Sequence, residues 1–375
     1  MNRTIVSAVL RESGCTAPYA ASRPLELQEL ELAPPRPGEL LVRIDAAGLC
    51  HSDLSVVNGD RPRPLPMALG HEATGIVETL GDPDDTAFAV GDRVVLVFLP
   101  ACGECARCAA GEGYLCEPAA AANGTGDLLR GGSRLCNHEG PVRHHLGVSA
   151  FSSHVVVDRR SAVKIDAAIP PEIAALFGCA VLTGVGAVMN SAAVRPGESV
   201  LIYGLGGVGL AALLGAVASG ANPIVAIDPS PEKRALACEL GATVAADPAD
   251  ADAQVAAQLS GGADVVIETV GKAAVLERAY AAGRRGARIV TVGLPNPAEM
   301  FAIPAVSLVA SGKTLIGSYM GSSIPARDIP RYIALWRAGR LPVERLLTSV
   351  SKLDAINGLL DELAAGRAVR QVVTP

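Results

Sequence analysis

A chain of 375 residues is long enough for two domains with well-filled cores, and half of it is apolar while only 3% is aromatic, so small aliphatic side chains must build the interior. A net charge of −6 without any Lys/Arg-rich run argues against nucleic-acid binding. The opening MNRTIVSAVLRESG lacks the apolar core of a secretory signal, and the most apolar stretch, residues 200–221, is interrupted by glycines and unsuited to spanning a membrane.

Residues 1–160 read as a β-rich domain. Short apolar runs (ELLVRIDAAG, ATGIVETLG, DRVVLVFLP) alternate with Pro/Gly/Asp turns such as RPGE and GDPDD. Two small constellations lie here, GLCHSD (Cys50–Asp53) and GHE (His71, Glu72). Read alone, Cys50 is equally a small buried hydrophobe, and His71 equally a satisfied core histidine. Farther on stands CGECARCAAGEGYLC, with Cys102, Cys105, Cys108 and Cys116 spaced C-x2-C-x2-C-x7-C. Nine cysteines with no export signal place the chain in the reducing cytoplasm, where disulfides are disfavoured. Four thiolates from one loop close a tetrahedral zinc shell with no open position, the form of a structural site. An iron–sulfur cluster uses the same ligands, but no second cluster accompanies this one. A third cysteine-bearing segment, GCAVLTGVGA with Cys179, follows. Cys15, Cys136 and Cys238 have no metal-like context, and Cys238, on an apolar helix, reads as core.

Near residue 180 the rhythm changes. SVLIYG is a buried strand followed by a Gly-opened helix to about Gly220; PIVAID, ADVVIETV and ARIVTVG then read as strands, alternating with the helices PEKRALACELGA and KAAVLERAYAAG. Such alternation implies a doubly wound parallel sheet, an α/β domain beside the β-rich, partly open one. Gly204-Leu205-Gly206-Gly207-Val208-Gly209 fits G-x-G-x-x-G between strand and helix, with Asp228 ending the next strand. Glycines admit a pyrophosphate to the helix amino terminus, and the acid suits a ribose while repelling a 2′-phosphate, so NAD is favoured over NADP. After residue 324 the pattern turns helical, ending in the apolar VRQVV.

Taken in order, GLCHSD, GHE, the four-cysteine lobe, GCAVLTGVGA, GLGGVG and Asp228 resemble the zinc-dependent medium-chain alcohol dehydrogenases over essentially the whole chain, and the segment after the lobe resembles the long, animal- and plant-type members. The resemblance implies a GroES-like catalytic domain (1–184 and 324–375, with the zinc lobe at 100–117) and an NAD-binding Rossmann domain (185–323). It implies two zinc ions per chain. Cys50, His71 and Cys179 hold the catalytic one, leaving one position open, and the four-cysteine lobe holds the other. Asp53 orients His71, Glu72 lies behind the metal, and Ser52 relays the substrate proton. His51 and Arg370 attend the pyrophosphate, and Lys233 joins Asp228 at the ribose. Thr183, Val208, Val270, Val292 and Leu294 pack near the nicotinamide. Phe98, His145, Leu146, Leu294 and Tyr319 line the substrate channel, although an exposed loop is an equal reading for His145.

The sequence departs from the family in two places. No histidine ends the relay at Ser55 or Val56, and EPAAAANG carries no cation to grip glutathione. The expected activity is reversible oxidation of primary, medium-chain or aromatic alcohols. The alternatives are a thiol-adduct formaldehyde dehydrogenase not using glutathione, or a non-catalytic NAD sensor. The resemblance also implies a homodimer or homotetramer, paired through apolar strands in residues 300–318.

Overall fold

Strand Glu39–Leu49 is buried along almost its whole length, as expected of an interior strand made of Leu, Val, Ile and Ala. It pairs antiparallel with Ala73–Leu80, His154–Asp158 and Arg370–Thr374. The sheet runs in the order Ala162–Lys164, Arg93–Leu96, Ala73–Leu80, Glu39–Leu49, Arg370–Thr374, Leu347–Lys352. A small closed barrel joins Arg3–Leu10, Leu25–Leu32, Leu135–Asn137, Gly140–His144 and Met67–Ala68. In this computed structural model, which describes residues 2–375, these strands belong to a unit running through Cys179 and including Ile324–Pro330 and Leu347–Pro375. VRQVV is thus an interior strand, although its position far along the chain gives no sequence sign of its neighbours.

The second unit, Ala180–Ser323 with Arg331–Leu346, is a six-stranded parallel sheet. Its order is Val244–Ala246, Ile224–Ile227, Val200–Tyr203, Ala263–Glu268, Gly283–Thr291, Thr314–Gly317. The order reverses between Val200–Tyr203 and Ala263–Glu268, the topological switch point where doubly wound sheets bind ligands. Helix Gly207–Ala218 leaves the first of these strands there. The α/β class expected from the alternation is the one observed.

Three local expectations are corrected. Residues 300–318 do not form a run of strands: Ala305–Ser311 is helical, and only Thr314–Gly317 is a strand, on the sheet edge. Gly312, at φ 61°, stops that helix in the left-handed conformation that glycine adopts without steric cost. Cys238 is exposed, because the buried face of helix Pro231–Glu239 is carried by Ala237. Residues 331–346 group with the second unit instead of the carboxy-terminal tail, since Tyr332, Ile333, Leu341 and Val343 are buried. Among the described residues no helix is long and apolar enough to cross a membrane.

Candidate active site and metal centres

Strand Glu39–Leu49 ends at Cys50, which caps helix His51–Val57. His71 leads into strand Ala73–Leu80, and Cys179 follows helix Pro171–Leu176. The three are far apart in sequence, yet their ligand atoms lie within 4.8 Å of one another, and all three are buried. His71 Nδ1 meets Asp53 Oδ1 at 3.1 Å, which leaves Nε2 buried without a hydrogen-bond partner. An unpartnered imidazole nitrogen beside two thiols is costly unless something coordinates it. Zinc accepts this donor set, and three protein ligands leave it one open position. The residues therefore fit the metal.

Asp53 is held by more than His71, for its Oδ2 accepts the Cys50 amide at 3.0 Å. Burial opposes its charge, but the His71 and His145 imidazoles outweigh that and hold its pKa down at about 2. Cys179 lends Cys50 a hydrogen bond that pushes the Cys50 thiol well below its usual value, and Cys179 itself is pushed well above. Ser52 Oγ lies 3.8 Å from Cys50 Sγ.

Behind these ligands sits a pair that sequence reasoning missed. Arg370 donates to Glu72 Oε1 at 3.0 Å and to the Leu49 carbonyl at 3.2 Å, with 298 residues separating it from Glu72. It is 3% exposed, a core group and not a surface one. Gly48 makes room, since a Cβ there would stand 2.3 Å from Glu72 Oε1. Burial, with Arg370 opposing it, pushes Glu72 up to about 7.

For His145 the exposed-loop reading fails. It is 1% exposed, not on an open loop, and its ring meets that of His71 edge to face at 5.3 Å. Phe98 meets His71 similarly at 5.8 Å. Leu146, at φ 51°, is buried next to His145. Neighbouring His144 is structural: it accepts the Arg134 amide through Nε2, and burial drives its pKa down to about 3.

In the lobe, Cys102, Cys105, Cys108 and Cys116 also bring their sulfurs within 4.8 Å of one another. Backbone amides of Glu104 and Cys105 point at Cys102 Sγ, and that of Cys102 at Cys116 Sγ, at 3.2–3.4 Å. Such N–H bonds favour thiolates, and four thiolates suit a closed structural zinc. Replacing half-buried Cys105 by Ala in a metal-free lobe would change stability by only about 0.5 kcal/mol. With zinc it removes a ligand whose binding contributes to folding. Cys105→Ala protein is expected to lose one zinc and melt several degrees lower by calorimetry; an unchanged melt with undiminished metal would refute the structural site.

In the second unit Gly209 lies so close to Gly204 that a Cβ on it would stand 1.8 Å from the Gly204 carbonyl oxygen. Nothing lies within 4 Å of where a Cβ on Gly206 would be, so the loop has open space at the head of its helix. Leu205 N and Ser230 N donate to Asp228 at 2.7 and 2.9 Å, which ties the acid to the glycine loop. These residues fit a dinucleotide. Lys233 is half-buried in the first turn of the next helix. Thr183 Oγ1 is buried without a partner, whereas Val270 and Leu294 are exposed and Val208, Val292 and Tyr319 half-buried.

Comparisons with known proteins agree with this picture. The family described as alcohol dehydrogenase GroES-like domain matches residues 36–167, and that described as zinc-binding dehydrogenase matches residues 207–337. The chain is 36% identical to an NDMA-dependent alcohol dehydrogenase of Amycolatopsis methanolica, over 95% of this chain and 96% of that one. Among solved structures, an alcohol dehydrogenase zinc-binding domain protein from Burkholderia ambifaria superposes with a TM-score of 0.93 at 35% identity, covering 100% of this chain and 99% of the other. Benzyl alcohol dehydrogenase from Acinetobacter calcoaceticus gives 0.92 at 31% identity, over 99% of each chain.

Proposed function

Since the chain belongs to the zinc-dependent medium-chain alcohol dehydrogenase family and is an alcohol dehydrogenase, we propose that it oxidises primary medium-chain or aromatic alcohols to aldehydes, reversibly, with NAD in a reducing compartment. The observation that carries this reading is the buried set Cys50, His71 and Cys179, with His71 Nε2 lacking any partner. When bound, zinc supplies a Lewis acid for the alcohol oxygen, and NAD takes up the carbon-bound hydrogen with its electron pair.

The chain's own residues do the rest. Asp53 fixes the His71 tautomer, so that the lone pair of Nε2 would be available to hold zinc. Ser52 Oγ accepts the hydroxyl proton and hands it outward, and with no histidine at 55 or 56 that path ends in His51 or water. Glu72 and Arg370 place a carboxylate behind the ligands with its charge compensated. Phe98 and Leu146, both buried in the first unit, give an apolar lining suited to alkyl or aryl groups, and Ser52 is small enough to leave space for them beside Cys50. Asp228 and Lys233 bind the adenosine ribose, Gly204 to Gly209 the pyrophosphate, and Thr183, Val208, Val270, Val292 and Leu294 the nicotinamide ribose and ring.

Initial rates with ethanol, hexanol and benzyl alcohol test this reading, followed as NADH absorbance without NDMA and as aldehyde formed with it. Reduction of NAD that is fastest with hexanol or benzyl alcohol supports it. Turnover only when NDMA is added favours a second reading, NDMA dependence, as the name of the Amycolatopsis relative states for that protein. No turnover with either leaves the NAD sensor.

Cofactor choice has its own test. Asp228→Gly removes the carboxylate that would repel a 2′-phosphate. The NADP-to-NAD ratio of kcat/KM is expected to rise by about tenfold or more, on the order of 1.4 kcal/mol. If the unaltered enzyme already uses both cofactors equally, this role of Asp228 is wrong.

A further inference from the structure

Four groups converge on the fully buried Asp53 carboxylate. Its Oδ2 accepts the Cys50 amide at 3.0 Å, and its Oδ1 accepts the Gly70 amide at 3.3 Å. The same Oδ1 faces His71 Nδ1 at 3.1 Å and His145 Nδ1 at 3.2 Å. His145 is fixed there by its own backbone, whose amide donates to the Ala68 carbonyl and to Ser149 Oγ. Its Nδ1 is buried and has no well-aligned partner, so Asp53 Oδ1 is the polar atom it faces. A bare nitrogen lone pair at that distance from a carboxylate oxygen would be repelled. The tautomer with hydrogen on Nδ1 is attracted instead.

We propose that His145 is a positioning residue that divides the Asp53 carboxylate between two imidazoles, tempering the electron density that Asp53 lends to His71 and, through it, to the metal. The inference rests on the zinc reading above. A carboxylate partner makes a ligating histidine more basic and binds it more firmly to its metal. A second N–H donor on the same oxygen draws off part of that effect. Orientation of Asp53 does not depend on His145, because the Cys50 and Gly70 amides already hold both oxygens. The His71 ring is likewise supported by Phe98, just past strand Arg93–Leu96. What His145 contributes that these groups do not is its Nδ1–H.

Three substitutions separate the nitrogen from the ring. His145→Phe keeps an aromatic ring and loses the donor; His145→Gln carries its amide where Nε2 was; His145→Asn carries it where Nδ1 was. The measurement is the rate at which a chelator strips zinc from the holoenzyme, and the kinetic phase missing from Cys179→Ser protein belongs to the three-ligand site. Release from that site is expected to slow by about threefold or more in His145→Phe and His145→Gln and to stay at the unaltered rate in His145→Asn. The scale lies below the roughly 10–100-fold that loss of an entire outer partner brings. If Phe and Gln variants release zinc as fast as the unaltered enzyme or faster, or if Asn behaves as Gln does, the proposal is overturned. Should His145→Phe fail to fold, the Gln and Asn pair decides alone. Unaltered protein with no Cys179-dependent phase would instead refute the zinc reading itself.

Discussion

Cys179→Ala protein is expected to retain one zinc per chain, keep its fold and lose turnover by on the order of 10³-fold or more. The magnitude follows from the role of the metal, since removing several kcal/mol of charge stabilisation from the transition state corresponds to a factor of that size. The fold survives because Cys179 lies at a junction, after helix Pro171–Leu176 and before Ala180–Gly186, and the change to Ala removes a single buried sulfur. Metal analysis, circular dichroism and steady-state kinetics on the same preparation make the check. One zinc in fully active unaltered enzyme, or two in the variant, would sink the assignment of the three dispersed ligands.

Ser52→Ala is expected to lower kcat for alcohol oxidation by on the order of 10²-fold, the scale of a well-placed proton-transfer group. Ser52 adjoins the ligand-bearing turn, with Oγ 3.8 Å from Cys50 Sγ. The candidates for a relay histidine offer no imidazole: Ser55 spends its hydroxyl on the His51 carbonyl at 2.9 Å, and Val56 is buried. Loss of Ser52 therefore removes the hydroxyl that stands beside Cys50 for this step. Kinetics from pH 6 to 10 with deuterated alcohol separate this from a binding defect. A near-normal kcat with a full isotope effect would mean that the proton leaves directly to water.

How much of this was legible in the sequence depends on whether the signal is local. The four lobe cysteines announce themselves because all lie within fifteen residues, and the glycine loop because strand, turn, helix and acid follow one another. Cys50, His71 and Cys179 carry no such signal, and only the ordered set of motifs identifies them together. Arg370 and Glu72 are farther apart still, and a lone arginine before an apolar run does not reveal a buried partner. The strand Val244–Ala246 is too short and alanine-rich to show a period, and Leu347–Lys352 alternates weakly because it lies on the sheet edge. Cys238 misled because apolar composition was read as burial, whereas helix geometry assigns the inward face to Ala237.

The interior strand Arg370–Thr374 has a consequence for synthesis. The hydrogen bond from Arg370 to Leu49 joins residues 321 positions apart. A ribosome adding about 5–20 residues per second needs roughly 15–60 s to span that interval. Throughout that delay the Ala47–Leu49 end of strand Glu39–Leu49 lacks the neighbour that covers its edge, although His154–Asp158 already covers residues 39–43. The parallel sheet of the second unit, by contrast, has all six strands once residue 317 has been made. Nascent chains should therefore complete the parallel sheet of the second unit before the mixed sheet of the first, reversing the order in which the two begin along the message. The unpaired Ala47–Leu49 end of strand Glu39–Leu49 is then a surface in need of chaperone cover during translation.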